Sequence, residues 1–340
     1  MTATTPSGDV LGTGVQGSVP DGATPVAQAP SGGSSRPSGG SGPTGPTGPS
    51  AFRRTMARRE ARIGLLFALP AFLLFLAFRF GPAIAGVGLS FFDYTIGDTA
   101  QWTGLDNFER MVNDPIFWSA MRVTLILSVL IVPLSLAIST FMALLVRRSF
   151  RGSGFYRSVF FLPVVTSLVL AATVFTWVFS TGGPWSQLMG LIGLSTDSWL
   201  GSTTLVLPAL ALVSIWSRFG YGMLILLARM QDLPRELEEA AALDGANAWH
   251  RFWHIIMPQL KPTLFFLAVI ETTASFQIFD LVYTMTGGGP ARASYSLVYQ
   301  IYDQGFKYFD LGYASTLGVA LFIITIVVAL VQRRLIGRDK

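Results

Sequence analysis

Cysteine is absent from all 340 residues and histidine occurs only twice. Disulfides, thiolate metal sites and cysteine nucleophiles are therefore excluded. Charge is scarce as well. Asp, Glu, Lys and Arg make up 13% of the chain, about half the share of an ordinary soluble domain. No glycine loop followed by Lys-Ser/Thr is present, so the chain has no phosphate cradle of the nucleotide-binding kind. Nor does it contain a credible Ser-His-Asp set or pair of carboxylates. His250 and His254, spaced i, i+4, are the one metal-like pair, and they lack a third ligand nearby. Packing or polar contacts in a loop are the better reading for them.

What the chain has instead is apolar length. Hydrophobic residues make up 51% and mean hydropathy is +0.52. A helix that crosses a bilayer needs about 20 predominantly apolar residues. Six stretches reach that length: 63–89, 123–146, 155–179, 205–227, 263–285 and 313–331. The fold expected is an all-α polytopic membrane protein with six transmembrane helices. Residues 1–52 are a Gly/Pro/Ser/Thr-rich tail that buries too little surface to offset its ordering entropy, which makes it an unstructured segment. No apolar core of signal-peptide type precedes Ile63, so the tail reads as retained. The membrane-spanning region is then 53–340.

Basic residues alternate from end to end of these stretches. Seventeen cluster before the first, between the second and third, after the fourth and after the sixth; Arg110, Arg122, Arg292 and Lys307 lie on the other side. The positive-inside rule puts both termini in the cytoplasm.

One polar segment interrupts the apolar pattern. Residues 233–260 contain Glu236, Glu238 and Glu239 just after Pro234, where a helix dipole favours negative charge. Gly245 has the position of a helix-ending glycine, Asn247 that of an N-cap, and Pro258 that of a stop. The segment reads as helix, glycine joint, helix.

The spacing Glu239-Ala240-Ala241, then Gly245, Ile255 and Met257-Pro258 resembles the EAA loop of ABC importer permeases, with Met257 where that family usually has Leu. The likeness extends over roughly 60–335. Gly104-Leu105-x-Asn107-Phe108, Arg157 to Pro163, Phe279-Asp280-x-x-Tyr283, Thr286-x-Gly288-Gly289-Pro290 and Gly312-Tyr313-Ala314-Ser315 are similar to the carbohydrate-uptake type, the maltose and glycerol-3-phosphate group. This resemblance implies a type I ABC importer permease bundle (MetI-like) with a cytoplasmic coupling helix, in a bacterial cytoplasmic membrane. It implies four kinds of contact: a second homologous permease, two ATP-binding cassette subunits, an extracytoplasmic substrate-binding (lipo)protein, and membrane lipid. ATP and Mg would be bound on the ATPase partners and no cofactor on this chain; nucleic acid is not expected. Residues 239, 240, 241, 244, 245, 255 and 258 (Glu239, Ala240, Ala241, Asp244, Gly245, Ile255, Pro258) would then couple to the ATPases.

Ionisable groups within a bilayer are functional candidates by default. Arg79, Arg218, Glu271 and Asp280 stand inside the apolar stretches. On a helical wheel Thr273, Gln277, Asp280 and Thr284 share a polar stripe, flanked by Phe276, Phe279 and Tyr283, all within about 160°. Hydroxyl, amide and carboxylate groups beside aromatic faces suit a sugar. Glu271 lies about 150° away on that wheel and is expected to face a partner helix. With Arg218, Tyr221 and Arg79 added, this is the candidate substrate wall. A di- or oligosaccharide fits its mixed character, whereas the arginines keep glycerol-3-phosphate or a glycerophosphodiester open. A stand-alone secondary transporter would need inverted repeats with broken helices in both halves, and no convincing pair is found.

Overall fold

The computed structural model describes residues 51–147, 151–193 and 197–336. The expected unstructured tail, save its last two residues, lies outside the described residues, as do Arg148, Arg338 and Lys340. The chain divides within its first helix into a unit ending at Leu65 and one running from Leu66. The first unit is helical from Ala51, two residues inside the expected tail. The helical bundle belongs to the second unit.

Helix α1 is Ala51–Phe75; a π-turn, Leu76–Phe80, leads into α2, Gly81–Leu89. No residue of the apolar stretch 63–89 is buried in the single chain. A two-residue ribbon, β1 Phe92–Asp93 with β2 Gln101–Trp102, precedes α3, Asp106–Asn113. Then come α4 Pro115–Arg147, α5 Ser153–Val165, α6 Leu168–Val178, α7 Pro184–Leu191 and α8 Val206–Gln231. The polar segment holds α9 Arg235–Leu243 and α10 Ala248–Arg251. Beyond it lie α11 Met257–Phe276, α12 Leu297–Tyr302 and α13 Leu311–Ile336.

Helices α4 and α8 form the most extensive pair, with α11 against α4 and α5 against α8. Small residues let them approach. A Cβ on Gly222 would meet the Ser139 Oγ at 2.6 Å, and that same hydroxyl donates to the Phe219 carbonyl at 2.9 Å. In lipid, where apolar surface gains little from meeting apolar surface, such close backbone packing and hydrogen bonding hold helices together. One apolar cluster joins α4, α8 and α11 near the polar segment, through Val146, Met230, Leu233, Ile256 and Leu260. Another lies toward the opposite end, through Leu127, Leu210, Ile278, Leu281 and Tyr299.

Three expectations need correction. The third span, 155–179, is not one rod: α5 and α6 meet at 94°. Thr166 and Ser167 leave the helical region there, just after Pro163, and hydropathy measures apolar length without sensing direction. Among the described residues, five helices are therefore long and apolar enough to cross, or six if the bent pair counts as one span. The fifth span begins earlier and ends earlier than 263–285. Pro258 does not stop the second loop helix. A π-turn, Phe252–Ile256, returns the Met257 N–H to the Phe252 carbonyl, and Pro258 then opens α11, where a missing N–H costs little. The helix ends at Phe276, with Gln277 past its last turn. A single wheel through Thr284 therefore does not exist.

Candidate functional site

The polar segment is built from local rules. Helix α9 ends in a paired turn: Gly245 N–H donates to Ala242 O at 3.1 Å, and Ala246 N–H to Ala241 O at 2.9 Å. This geometry needs a left-handed residue, and Gly245 has φ +83°. Asn247 Oδ1 then accepts from the His250 N–H at 2.8 Å, capping α10. Both caps match the sequence expectation.

A second set of contacts ties α9 to the helices behind it. Arg147, the last residue of α4, forms an ion pair with Glu238 and donates to the Met230 carbonyl at the end of α8, 3.3 Å away. Arg157 of α5 donates to Val146 O at 3.0 Å. Leu233, just before α9, is buried with Met230 and Ile256. A push on α9 therefore reaches α4, α8 and α11 through short, packed contacts.

The outward side of this segment is unlike a solvated hairpin. Leu243 is 90% exposed; Leu237, Trp249 and Trp253 are exposed too. Glu239, Ala240, Asp244 and Pro258 are exposed, whereas Ala241 and Ile255 are half-buried. A cavity of about 1220 Å³ opens between α4, the segment and α11, lined among others by Thr140, Arg147, Glu239, Trp249, Trp253 and Leu264. His250 and His254 stack on each other 3.9 Å apart, and His254 Nδ1 lies 3.0 Å from the His250 carbonyl. Among the described residues no group of three or more potential His, Cys, Asp or Glu ligands comes together.

The substrate-wall candidates separate. Thr273 is half-buried and spends its hydroxyl on the Val269 carbonyl at 2.9 Å. Phe276, 1% exposed, faces the core. Gln277, Asp280 and Tyr283 are exposed; Phe279 and Thr284 are half-buried. Phe279 and Tyr283 stack with centroids 5.3 Å apart. Arg218 reaches Glu271 instead of standing alone: its Nε donates to Glu271 Oε2 at 2.9 Å, with Glu271 2% exposed and the arginine side chain 34%. Glu271 thus meets a neighbouring helix, as its wheel position suggests. Tyr221 is exposed on α8, and Arg79, exposed in the first π-turn, makes no hydrogen bond or ion pair among the described residues.

At the end of the bundle opposite α9, polar contacts fix the loops. Asn107 donates to Ser90 O and Phe92 O at 3.2 and 2.8 Å. Asp114 accepts from Tyr313 OH at 2.8 Å and Gln300 Nε2 at 3.1 Å. Tyr295 OH donates to Asp303 at 2.8 Å; burial first, then that bond, pushes its phenol well above the usual range. Lys307 meets Asp303 at 2.7 Å, which raises the ammonium and keeps it charged at neutral pH. Two residues here escaped the sequence reading: Tyr302 and Phe306 extend the Phe279–Tyr283 stack. Their signal was a spacing of i, i+4, i+7, i+11 from Tyr295 through Tyr299, Tyr302 and Phe306.

Residues 135–338 match the family described as binding-protein-dependent transport system inner membrane component. The chain is 32% identical over 276 residues to the sn-glycerol-3-phosphate transport system permease protein UgpA of Agrobacterium fabrum, covering 80% of this chain and 94% of the relative. It is 33% identical over 291 residues to the probable ABC transporter permease protein YurN of Bacillus subtilis, covering 84% and 99%. In fold it resembles a chain of a bacterial ABC transporter involved in the import of the acidic polysaccharide alginate: TM-score 0.72, 22% identity, 84% of this chain and 99% of that one.

Proposed function

The chain belongs to the family of binding-protein-dependent transport system inner membrane components, and on that premise we propose how its parts divide the work of import. It is a permease subunit with the type I importer fold. In the proposed assembly it forms the pathway with a second, homologous permease. Two ATPase subunits bind ATP and Mg and drive the pair, and a receptor outside the membrane delivers substrate. The basic clusters orient both termini and α9 toward the cytoplasm of a bacterial cell.

One observation carries the coupling role: α9 exposes Leu243 and Leu237 on a charged helix whose other side is locked to α4 and α8. Exposed apolar side chains on a polar helix suit a partner surface. Ala240 and Ala241 give that helix a slim profile, allowing close backbone approach. Closure of the ATPases would move α9, and the Arg147, Leu233 and Ile256 contacts would carry the motion into the bundle. Alternating access follows if ATP binding favours the outward-facing packing by a few kcal/mol.

The cargo in this reading is a di- or oligosaccharide, supported by the exposed Gln277, Asp280 and Tyr283 beside Phe279. Glycerol-3-phosphate or a glycerophosphodiester is the second reading, favoured by the substrate in the name of the Agrobacterium relative. Against it, Arg218 is engaged by Glu271, which leaves Arg79 as the one arginine of the candidate wall without an ion pair among the described residues. Energy source tests the proposal as a whole. Cells that express the assembly, depleted of ATP with their ion gradients maintained, should lose at least nine-tenths of uptake. Undiminished uptake under that treatment would identify a gradient-driven transporter and end the proposal.

A further inference from the structure

The rings of Phe279 and Tyr283 continue into Tyr302 and Phe306. Phe279 lies 5.0 Å from Tyr302, Tyr283 5.4 Å from Tyr302, and Tyr302 stacks on Phe306 at 5.5 Å and 24°. Two separate segments contribute: the turn after α11, and α12 with the π-turn Asp303–Lys307. The ladder has a back and a front. Tyr299, buried, packs behind Phe279 and Tyr302, and Tyr295 braces Tyr299 at 5.2 Å. In front, Tyr283 is 49% exposed and Phe306 68%.

The charges around the ladder select its occupant. Lys307 is bound to Asp303 at 2.7 Å and lies over the Tyr299 ring at 5.1 Å, so its cation serves the scaffold. Asp280, one residue after Phe279, is exposed and makes no hydrogen bond or ion pair among the described residues. A phosphate arriving here would meet a free carboxylate and an already neutralised ammonium, which disfavours it electrostatically. An uncharged sugar meets neither penalty. Its C–H faces lie flat on aromatic rings, while the hydroxyls of Tyr283 and Tyr302 and the carboxylate of Asp280 take its O–H groups. Ring-to-ring steps of 5.0 to 5.5 Å are close to the length of one pyranose residue in a linked chain.

We propose that Phe279, Tyr283, Tyr302 and Phe306 form an entry rail for an uncharged saccharide of two or more rings, running from the loop outside the membrane down to the end of α11. The inference rests on the permease reading and specifies the chemistry of its cargo. Phe306 would make first contact and Phe279 last, with Asp280 rejecting anions along the way.

Proteoliposomes holding the full assembly of both permeases, the ATPases and the receptor test this. They are loaded with ATP and offered one mixture of neutral di- to tetrasaccharides with sn-glycerol-3-phosphate, and lumenal contents are identified by mass spectrometry. A neutral saccharide should accumulate. Phe306→Leu keeps the apolar bulk at an exposed position but removes the flat face; with Tyr302→Ala it should lower saccharide uptake about ten-fold at limiting concentration, mainly through a raised KM. Phe306→Tyr should restore most of the rate. Unchanged uptake by the Phe306→Leu/Tyr302→Ala assembly, or accumulation of glycerol phosphate alone, would overturn the rail. Absence of any ATP-dependent accumulation would instead defeat the permease reading on which it depends.

Discussion

Gly245→Asp should separate ATP hydrolysis from uptake: the assembled transporter keeps most of its ATPase activity while transport falls at least ten-fold. The cause begins in the backbone. Gly245 has φ +83°, where a side chain costs about 1 kcal/mol, a loss a large bundle withstands. A Cβ there meets nothing within 4 Å of its own chain, so the new side chain has open space and makes no clash within the permease. The damage falls on whatever sits against the joint between α9 and α10, and in the proposed assembly that is the ATPase. Protein level and detergent stability should be close to wild type. ATPase rate and uptake measured on the same proteoliposomes give the answer, and full transport by the variant would remove the joint from the coupling route.

The second large effect belongs to the buried ion pair. Glu271→Ala should destabilise the chain by about 3 kcal/mol, because Arg218 is left without its partner in a low-dielectric bundle. That figure is at the low end of the range for a broken buried pair, since the arginine is a third exposed. Replacing both, as Arg218→Met with Glu271→Leu, should recover most of the lost thermal stability, since two apolar side chains need no counter-charge. Uptake by that double variant then separates two roles. Retained uptake makes Arg218 a structural charge; uptake lost in a stable double variant would return Arg218 to the substrate pathway.

Local features were legible in the sequence. The Gly245 turn and the Asn247 cap depend on residues a few positions apart, and their chemistry is the same wherever the chain goes. The apolar lengths likewise announce membrane helices. Features that need a path in space were not legible. The break at Thr166–Ser167 leaves composition untouched. Pro258 reads as a stop unless the π-turn before it is known. The polar stripe assumed one helix continuing through Thr284, whereas α11 ends at Phe276, and Phe276 turns inward while Gln277 and Asp280 turn out. The aromatic ladder joins α11's end to α12 across a turn. Its spacing within 295–306 was visible, but its continuation through Phe279 and Tyr283 was not. Three motifs of the family resemblance also prove to carry fixed structural contacts: Asn107 on the Ser90 and Phe92 carbonyls, Arg157 on Val146, and Tyr313 on Asp114.

Coupling requires α9 to be seated in an ATPase subunit. Because the chain contains no cysteine, Leu243→Cys gives a single attachment point at a position of that helix that is 90% exposed. Labelled with a benzophenone maleimide and irradiated in the active assembly, it should join this chain covalently to an ATPase subunit, with a yield that changes on adding ATP. Adducts with lipid or solvent alone, in an assembly that still transports, would contradict it.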